Sequence, residues 1–319
     1  MELPAALRAA VDRALEGVPL GELQRAADTL SSRYRAELRD GKLHLSDEMF
    51  ANAYLATRLP ATFAAVRASL GSAAELMPDF EPKSLLDIGA GPGTALWAAA
   101  DCWPSIDSAT MLEASQAIRK VGLALSAHSG VAHVDWRAAD AAKSFEADKA
   151  DLVTLAYVLD ELSPTEGLAL VERLWGATNG SLVVVEPGTP AGWRRMMAVR
   201  SRLIELGAHL AAPCPHSQDC PIVEPDWCHF SRRVARSRLH RLTKRGEVPW
   251  EDEKYIFLAV SRMPAETFRA RVLAPARGGS GKIQLKLCLE GGSVEERLLT
   301  KRDGDLYKTA RRADWGDVL

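Results

Sequence analysis

The chain has no apolar run approaching the ~18 residues that a membrane-spanning helix requires. Glu2, Asp12 and Glu16 interrupt the N-terminus where a signal peptide would be continuously apolar. Neither a membrane partner nor secretion is expected, and a cytoplasmic location is. Cysteine is scarce and unevenly placed, five in 319 residues, which excludes a secreted disulfide framework. Repeats and low-complexity tracts are missing too. So is any large excess of charge: 40 Lys+Arg against 42 Asp+Glu leave a net of −2, which by itself argues against a polyanion binder. What remains is 47% hydrophobic and 26% charged, the composition of one large or two smaller globular domains.

The average conceals a division. Residues 1–190 carry 16 basic and 26 acidic side chains, whereas residues 191–319 carry 24 and 16. An acidic first part and a basic second part suggest different tasks.

Periodicity separates four regions. Residues 1–78 read as helices, with Leu20, Leu23, Ala27, Leu30 and Tyr34 at helical spacing and a second segment from about Asp47 to Met77. Gly41 separates the two segments, and Pro60 breaks or kinks the second. From 79 to 210, short apolar runs alternate with helices: Ser84–Ile88, Ser108–Leu112, Ala132–Trp136, Ala150–Ala156 and Ser181–Glu186, followed by a long helix over about Ala191–Leu210. This alternation predicts an α/β fold, a doubly wound Rossmann-like parallel sheet with helices on both faces. Region 211–264 is Cys-rich and then basic, with a returning strand at Tyr255–Ser261. Region 265–319 reads as a small β region: Phe268–Leu273, Lys282–Leu289, Glu295–Thr300 and Leu306–Tyr307.

The first strand runs into Asp87-Ile88-Gly89-Ala90-Gly91-Pro92-Gly93-Thr94. Glycines at alternate positions let the backbone turn sharply and approach a ligand, with a helix starting at once. A dinucleotide site prefers G-x-G-x-x-G. The G-x-G-x-G found here, with an acid two residues before it, resembles the first motif of class I S-adenosylmethionine-dependent methyltransferases. That resemblance implies a cofactor site. Glu113, at the end of the second strand, stands where the superfamily places an acid that binds both ribose hydroxyls, and a carboxylate has the acceptors for a vicinal diol. Asp140 stands where a polar side chain meets the adenine amine, and Ala156 and Tyr157 would border the pocket.

The catalytic positions are less informative. Enzymes that methylate exocyclic base amines carry an Asn/Asp-Pro-Pro-aromatic motif after strand four, and here that position reads Ala156-Tyr157-Val158-Leu159. Pro213-Cys214-Pro215 superficially matches cytosine C5 enzymes but belongs to a cysteine group. Asp160 and Glu161 suit capping of the helix after Pro164 better than a role as bases. No catalytic residue is assigned.

Cys214, Cys220 and Cys228 lie within 15 residues of irregular chain, with His216 and His229 beside them. In a reducing compartment such thiols are metal ligands more often than disulfides, but the spacing does not match common zinc ribbons. A fourth ligand must come from elsewhere: His216, His229, Cys288 or Cys102. Zinc and an iron–sulfur cluster both suit thiolates.

The text Pro213-Cys214-Pro215-His216, Cys220-Pro221 and Asp226-Trp227-Cys228-His229-Phe230, then Glu251-Asp252-Glu253-Lys254-Tyr255, is similar to the methyltransferase-like small-ribosomal-subunit assembly family of bacteria and mitochondria, the Rsm-twenty-two type. The similarity runs from about residue 40 to the C-terminus and includes Glu186-Pro187-Gly188-Thr189-Pro190 and Trp315-Gly316-Asp317. It implies a [4Fe–4S] cluster held by Cys214, Cys220, Cys228 and the distant Cys288, with zinc the alternative. Cys102 then stays outside the set, and His216 and His229 support the site.

Arg232, Arg233, Arg236, Arg238, Arg241, Lys244 and Arg245 form a basic segment without an acid. Helical spacing would array several of them on neighbouring faces, and seven cations without a counter-charge call for phosphate. The resemblance points to small-subunit ribosomal RNA or its assembly intermediates, with a monomer off the ribosome. The expected protein binds S-adenosylmethionine, contains an iron–sulfur cluster and methylates or assembles the small subunit. Two alternatives are a non-catalytic assembly factor that retains the pocket and a small-molecule methyltransferase with a zinc-stapled cap.

Overall fold

The computed structural model describes residues 1–35 and 45–319; Gly41, expected to separate two helices, lies outside them. The chain opens with α1 (Ala5–Ala14), α2 (Leu20–Arg35), α3 (Glu48–Thr57) and α4 (Leu59–Leu76). Pro60 sits in the first turn of α4, where its missing N–H costs nothing, so proline marks a helix start there. The Asp47 side chain caps α3 by accepting from Phe50 N.

An alternating stretch follows: β1 (Ser84–Ile88), α5 (Thr94–Cys102), β2 (Ser108–Leu112), α6 (Gln116–Ser126), β3 (His133–Arg137), β4 (Ala150–Ala156), α7 (Pro164–Gly176), β5 (Thr178–Pro187), α8 (Pro190–Glu205) and β6 (His209–Ala212). After the cysteine-bearing loop come β7 (Phe230–Ala235), α9 (Arg238–Lys244) and the long β8 (Trp250–Ser261). The main sheet has the order β3-β2-β1-β4-β5-β8-β6, with β7 added to the outer half of β8. Strands β1 to β5 pair in parallel, and β8 runs antiparallel to β5, β6 and β7. This is a Rossmann-like α/β fold with a mixed sheet.

Alternation along the strands divides the core. Leu85, Leu152, Val183 and Phe257 face the N-terminal helices and α5, while Leu86, Val153, Leu182, Ile256 and Leu258 face α7 and α8. A second sheet, β10 (Arg277–Gly279), β11 (Lys282–Leu289) and β12 (Val294–Thr300) with β9 (Ala270–Val272) on β11, packs with α10 (Gly304–Ala310) over Leu285, Leu287 and Tyr307.

Four expectations need correction. The helix after β5 ends at Glu205, and His209–Ala212 is a sheet strand, because Gly207 adopts a left-handed turn between them. Leu306 and Tyr307 lie on α10, where Tyr307 and Ala310 share a buried helical face. Only Ala270–Val272 of the Phe268–Leu273 run is strand. The cap of α7 is Ser163, in a reciprocal box with Glu166, and not Asp160 or Glu161, which form a short turn of 3-10 helix.

The passage from β5 into α8 is tight. A Cβ on Gly192 would stand 2.0 Å from the Pro187 carbonyl oxygen, a backbone atom that cannot move aside cheaply. Gly192→Ala is expected to cost about 1–3 kcal/mol, measured as a lower urea midpoint at unchanged m-value.

Candidate functional site

A cavity of about 810 Å³ opens at the carboxyl ends of β1, β2 and β4, the switch point where ligands bind in sheets of this type. The glycine loop builds one wall. Gly89 has φ +66°, and a Cβ there would meet Val158 Cγ2 at 2.4 Å; Gly93, with φ +85°, caps α5. Gly91 has φ +53°, and nothing lies within 4 Å of where its Cβ would be. Its backbone is therefore bare toward the cavity.

Glu113 faces the same space. Its Oε2 accepts from Gly91 N at 2.9 Å and its Oε1 from Ser115 N at 2.8 Å. Burial raises its carboxyl above the usual range, opposed by the bonds from Ser115 and Gly91. Asp140 and Ala156 also line the cavity. Asp140 is turned partly onto its own loop, accepting from Ala142 N at 3.0 Å and pairing with Lys143. Asp87 is 2% exposed beneath the loop and accepts from Thr154 Oγ1 at 2.6 Å, so it supports the wall and does not line it.

The far end comes from segments that spacing alone did not connect. Tyr157, with φ +60°, is one of two non-glycine residues described with a left-handed backbone. Its hydroxyl donates to Glu253 Oε1 at 3.0 Å, and Arg58 pairs with the same oxygen at 3.3 Å. Tyr34, Tyr54 and Thr62 complete this end, and Tyr54 donates to Thr62 at 3.2 Å. Lys244, expected on a basic surface, lines the cavity, where burial and the Arg58 charge lower its pKa. Glu161 is pushed up to about 8, first by burial and then by Asp160. Beneath it Glu186 is fully buried, accepting from Leu159 N at 3.0 Å and pairing with Arg195 at 3.1 Å.

A second, smaller cavity gathers all four expected cysteines: Cys214, Cys220, Cys228 and Cys288. Its other walls are mostly apolar, including Met196, Ile222, Phe230 and Leu258. Burial pushes the Cys228 thiol well above its ordinary value, with Cys214, Cys220 and Cys288 adding to the effect. His216 Nε2 lies 3.5 Å from Cys288 Sγ, and His229 stacks on Trp227. Cys102 is elsewhere, against the Arg67 carbonyl. Among the described residues no three His, Cys, Asp or Glu side chains are drawn close enough for a metal ion. The donor set nonetheless suits a thiolate-bound centre. Arg200 Nε, Arg271 Nη2 and His216 Nδ1 are buried around it without hydrogen-bond partners.

The basic segment differs from its expected form. Arg232 and Arg233 lie on strand β7, and only Arg238, Arg241 and Lys244 lie on α9, because the run pairs with β8. That pairing also brings acids. Arg233 makes a two-pronged bond to Asp252 at 2.9 and 3.1 Å, Arg236 pairs with Glu251 at 3.0 Å, and Arg245 reaches Asp28 at 3.2 Å. The segment is thus partly neutralised from outside its own sequence.

The family model described as mitochondrial small ribosomal subunit Rsm22 matches residues 48–319. The human mitochondrial ribosome assembly protein METTL17 is 30% identical over 294 residues, 83% of this chain and 61% of that protein. Rsm22-cox11 tandem protein 2, a mitochondrial protein of Schizosaccharomyces pombe, is 22% identical over 84% of this chain and 42% of its own length. The chain therefore spans about half the length of these relatives. A solved O-methyltransferase family protein from Burkholderia thailandensis is 16% identical, with a TM-score of 0.46 over 77% of this chain and 72% of that one. The relatives overturn the expected cytoplasmic location and point to a mitochondrial one. The lack of a long apolar run speaks to bilayer insertion, not to which aqueous compartment holds a chain.

Burial raises the Asp87 carboxyl to about 7, against the opposing bond from Thr154. Between its unfolded value and this one, the folded state keeps a proton that the unfolded state has released. Stability therefore falls as pH rises through that window and levels off above it. From pH 5 to 8 the Asp87 contribution is on the order of 3 kcal/mol. Urea unfolding of Asp87→Asn is expected to show a flatter profile by that amount; an equally steep decline would assign the proton elsewhere.

Proposed function

The chain belongs to the Rsm22 family, and from that premise we propose that it binds S-adenosylmethionine and serves assembly of the small ribosomal subunit by contacting its RNA. The observation that carries this reading is the cavity at the switch point in which Glu113 accepts from the Gly91 N–H and no side chain covers the glycine loop at Gly91. In it Glu113 takes the ribose hydroxyls, Asp140 the adenine amine, and Gly89, Gly91 and Gly93 leave room for the methionine end. Asp87 holds the loop from below, and Ala156 and Tyr157 border the pocket. In the same proposal residues 1–78 form a helical cover, 79–210 the cofactor domain, 211–264 the thiol and basic segment, and 265–319 a β region.

A non-catalytic role is the second reading, and one observation favours it. The position after β4 that carries an amine-binding motif in base-amine enzymes holds Tyr157, whose hydroxyl is committed to Glu253. Cofactor binding would then stabilise the particle-competent fold without methyl transfer.

Cys214, Cys220, Cys228 and Cys288 are proposed to hold a [4Fe–4S] cluster, with zinc as the alternative. Such a centre would join the loop after β6 to strand β11, so its loss would loosen both. When bound, it supplies cross-linking and one-electron chemistry.

Of the basic residues, Arg233, Arg236 and Arg245 are engaged by Asp252, Glu251 and Asp28, which leaves Arg232 and Arg238 as the better candidates for phosphate. Arg241 lies partly buried on α9 and Lys244 belongs to the cavity.

Titration calorimetry with S-adenosylmethionine is expected to show one site, weakened at least tenfold in Glu113→Ala; wild-type protein with no binding would remove the cofactor reading. Mass mapping of small-subunit RNA from cells with and without the gene then separates the two roles. A methyl group lost with the gene indicates the enzyme, and an unchanged map with tight cofactor binding indicates the assembly role. For the RNA contact, Arg232→Glu with Arg238→Glu should weaken association with small-subunit particles and lower the slope of log K against log salt by about 2. Co-sedimentation that keeps its affinity and slope would place the RNA surface elsewhere.

A further inference from the structure

Arg200 and Arg271 are the buried arginines among the described residues, 3% and 1% exposed. Main-chain oxygens hold both. Arg200 Nη2 donates to the carbonyls of His216 and Gln218 at 2.8 and 2.7 Å, inside the loop between Cys214 and Cys220. Arg271 donates through Nε to Pro213 O at 2.8 Å and through Nη1 to Gly316 O at 2.6 Å and Ser72 Oγ at 3.3 Å. Its guanidinium also lies over the Phe268 ring, 4.4 Å from the centroid. Carbonyls and a ring face satisfy a fork but carry no full negative charge. Among the described residues neither arginine is paired with a carboxylate, and each keeps one N–H group without a partner.

Two buried cations without a paired carboxylate are costly in an apolar setting, and of the carboxylates only the more distant Glu75 and Asp317 act on Arg271. Arg271 lines the four-thiol cavity, Arg200 grips the loop between Cys214 and Cys220 beside it, and the charges of both act on Cys214 and Cys288. The balance identifies what is missing. Four thiolates around a doubly positive centre, an iron–sulfur core or a zinc ion alike, carry two negative charges, matching two guanidiniums. Three thiolates and a neutral histidine on zinc carry one and would leave an arginine uncompensated.

We infer that Arg200 and Arg271 are the counter-charges of a dianionic, four-thiolate centre and hold its reduction potential up through charge and N–H donation to sulfur. This rests on the cluster reading given above. It assigns His216 to a supporting place beside Cys288 and not to the ligand set. Reduction adds an electron to the centre, so removing an adjacent cation makes that step harder.

The test uses the full chain purified without oxygen. Iron and acid-labile sulfide are measured first and are expected near four each per chain. Protein without iron, or with one zinc on the thiols, overturns the cluster reading and the redox role with it. On iron-loaded protein, Arg271→Met and Arg200→Met should each move the midpoint potential to a more negative value, while Arg8→Met, at an exposed N-terminal position, leaves it unchanged. Arg271→Lys keeps the charge but loses the fork and should fall between Arg271→Met and wild type. If a Met variant does not fold, the Lys variant is read in its place, and a wild-type midpoint there counts against the inference. Thermal unfolding adds a second readout: the rise in Tm on loading the cluster should be smaller in the Met variants. A residue that only supports the fold would lower apo and loaded Tm alike. Loaded variants with a wild-type midpoint and an undiminished rise overturn the inference.

Discussion

Strand β8 is the constraint on which the rest of the molecule depends. Its inner half is buried between β5 and β6, with Glu186 opposite Ile256 and Leu210 opposite Val260, and its outer half pairs with β7. Inserting an antiparallel strand into a parallel sheet obliges the chain to leave after β6 and return from the far side. The excursion between them holds three of the four thiols and all of the basic segment. Gly188 shows how closely the return is fitted: a Cβ there would stand 2.7 Å from Tyr255 N. The strand also contributes to both cavities, through Glu253 beside Tyr157 and Arg58, and through Ile256, Phe257 and Leu258 beside the thiols.

The two cavities have opposite electrostatic designs. At the strand ends Glu113, Asp140, Asp160 and Glu161 surround a space whose far end holds Arg58 and Lys244. Both signs are present, and raised carboxyls show that burial competes with pairing. Such a lining suits a ligand with separated polar groups. The thiol cavity is walled mostly by apolar side chains, and its cations are bonded to main-chain carbonyls. An apolar wall strengthens any charge interaction placed within it, which is why two arginines there weigh more than the seven basic residues around β7 and α9.

Local chemistry made the strands and the glycine loop legible in the sequence. Ser84–Ile88, Ser108–Leu112 and Ala150–Ala156 carry apolar runs with nearby turn signals, and Gly89, Gly91 and Gly93 need positive φ. The cysteine set was also legible, but only through resemblance, since Cys288 lies 60 residues from Cys228. Pairings across distance were not. Nothing local to Arg233 or Arg236 announces Asp252 or Glu251 as their partners; only the register of β7 on β8 brings them together. A helical reading of that segment failed because strand pairing overrode local spacing. Arg58 and Tyr54 fall in a segment read only as helical, and their place at the cavity follows from how α4 packs against β8 and α3 against α9. Nothing in the sequence singles out Arg271, whose carbonyl partners come from Pro213 and Gly316.

Those long-range bonds bear on how the two cavities relate. Arg271 ties β9 to the residue before Cys214 and to the C-terminal tail, and Val318 bridges to Arg271 along the backbone. The thiol site is thus built from three segments, each anchored by something besides sulfur. A centre lost from it would release the loop between β6 and β7 first, because β11 keeps its pairing with β9, β10 and β12 while the loop carries the unmet His216 Nδ1. The cavity at the strand ends would feel this through β8, which is held by β5 and β6 along its inner half. On the proposed reading, loss of the centre would therefore act mainly on that loop and the basic segment after it, and on cofactor affinity only as far as Glu253 and Lys244 are disturbed.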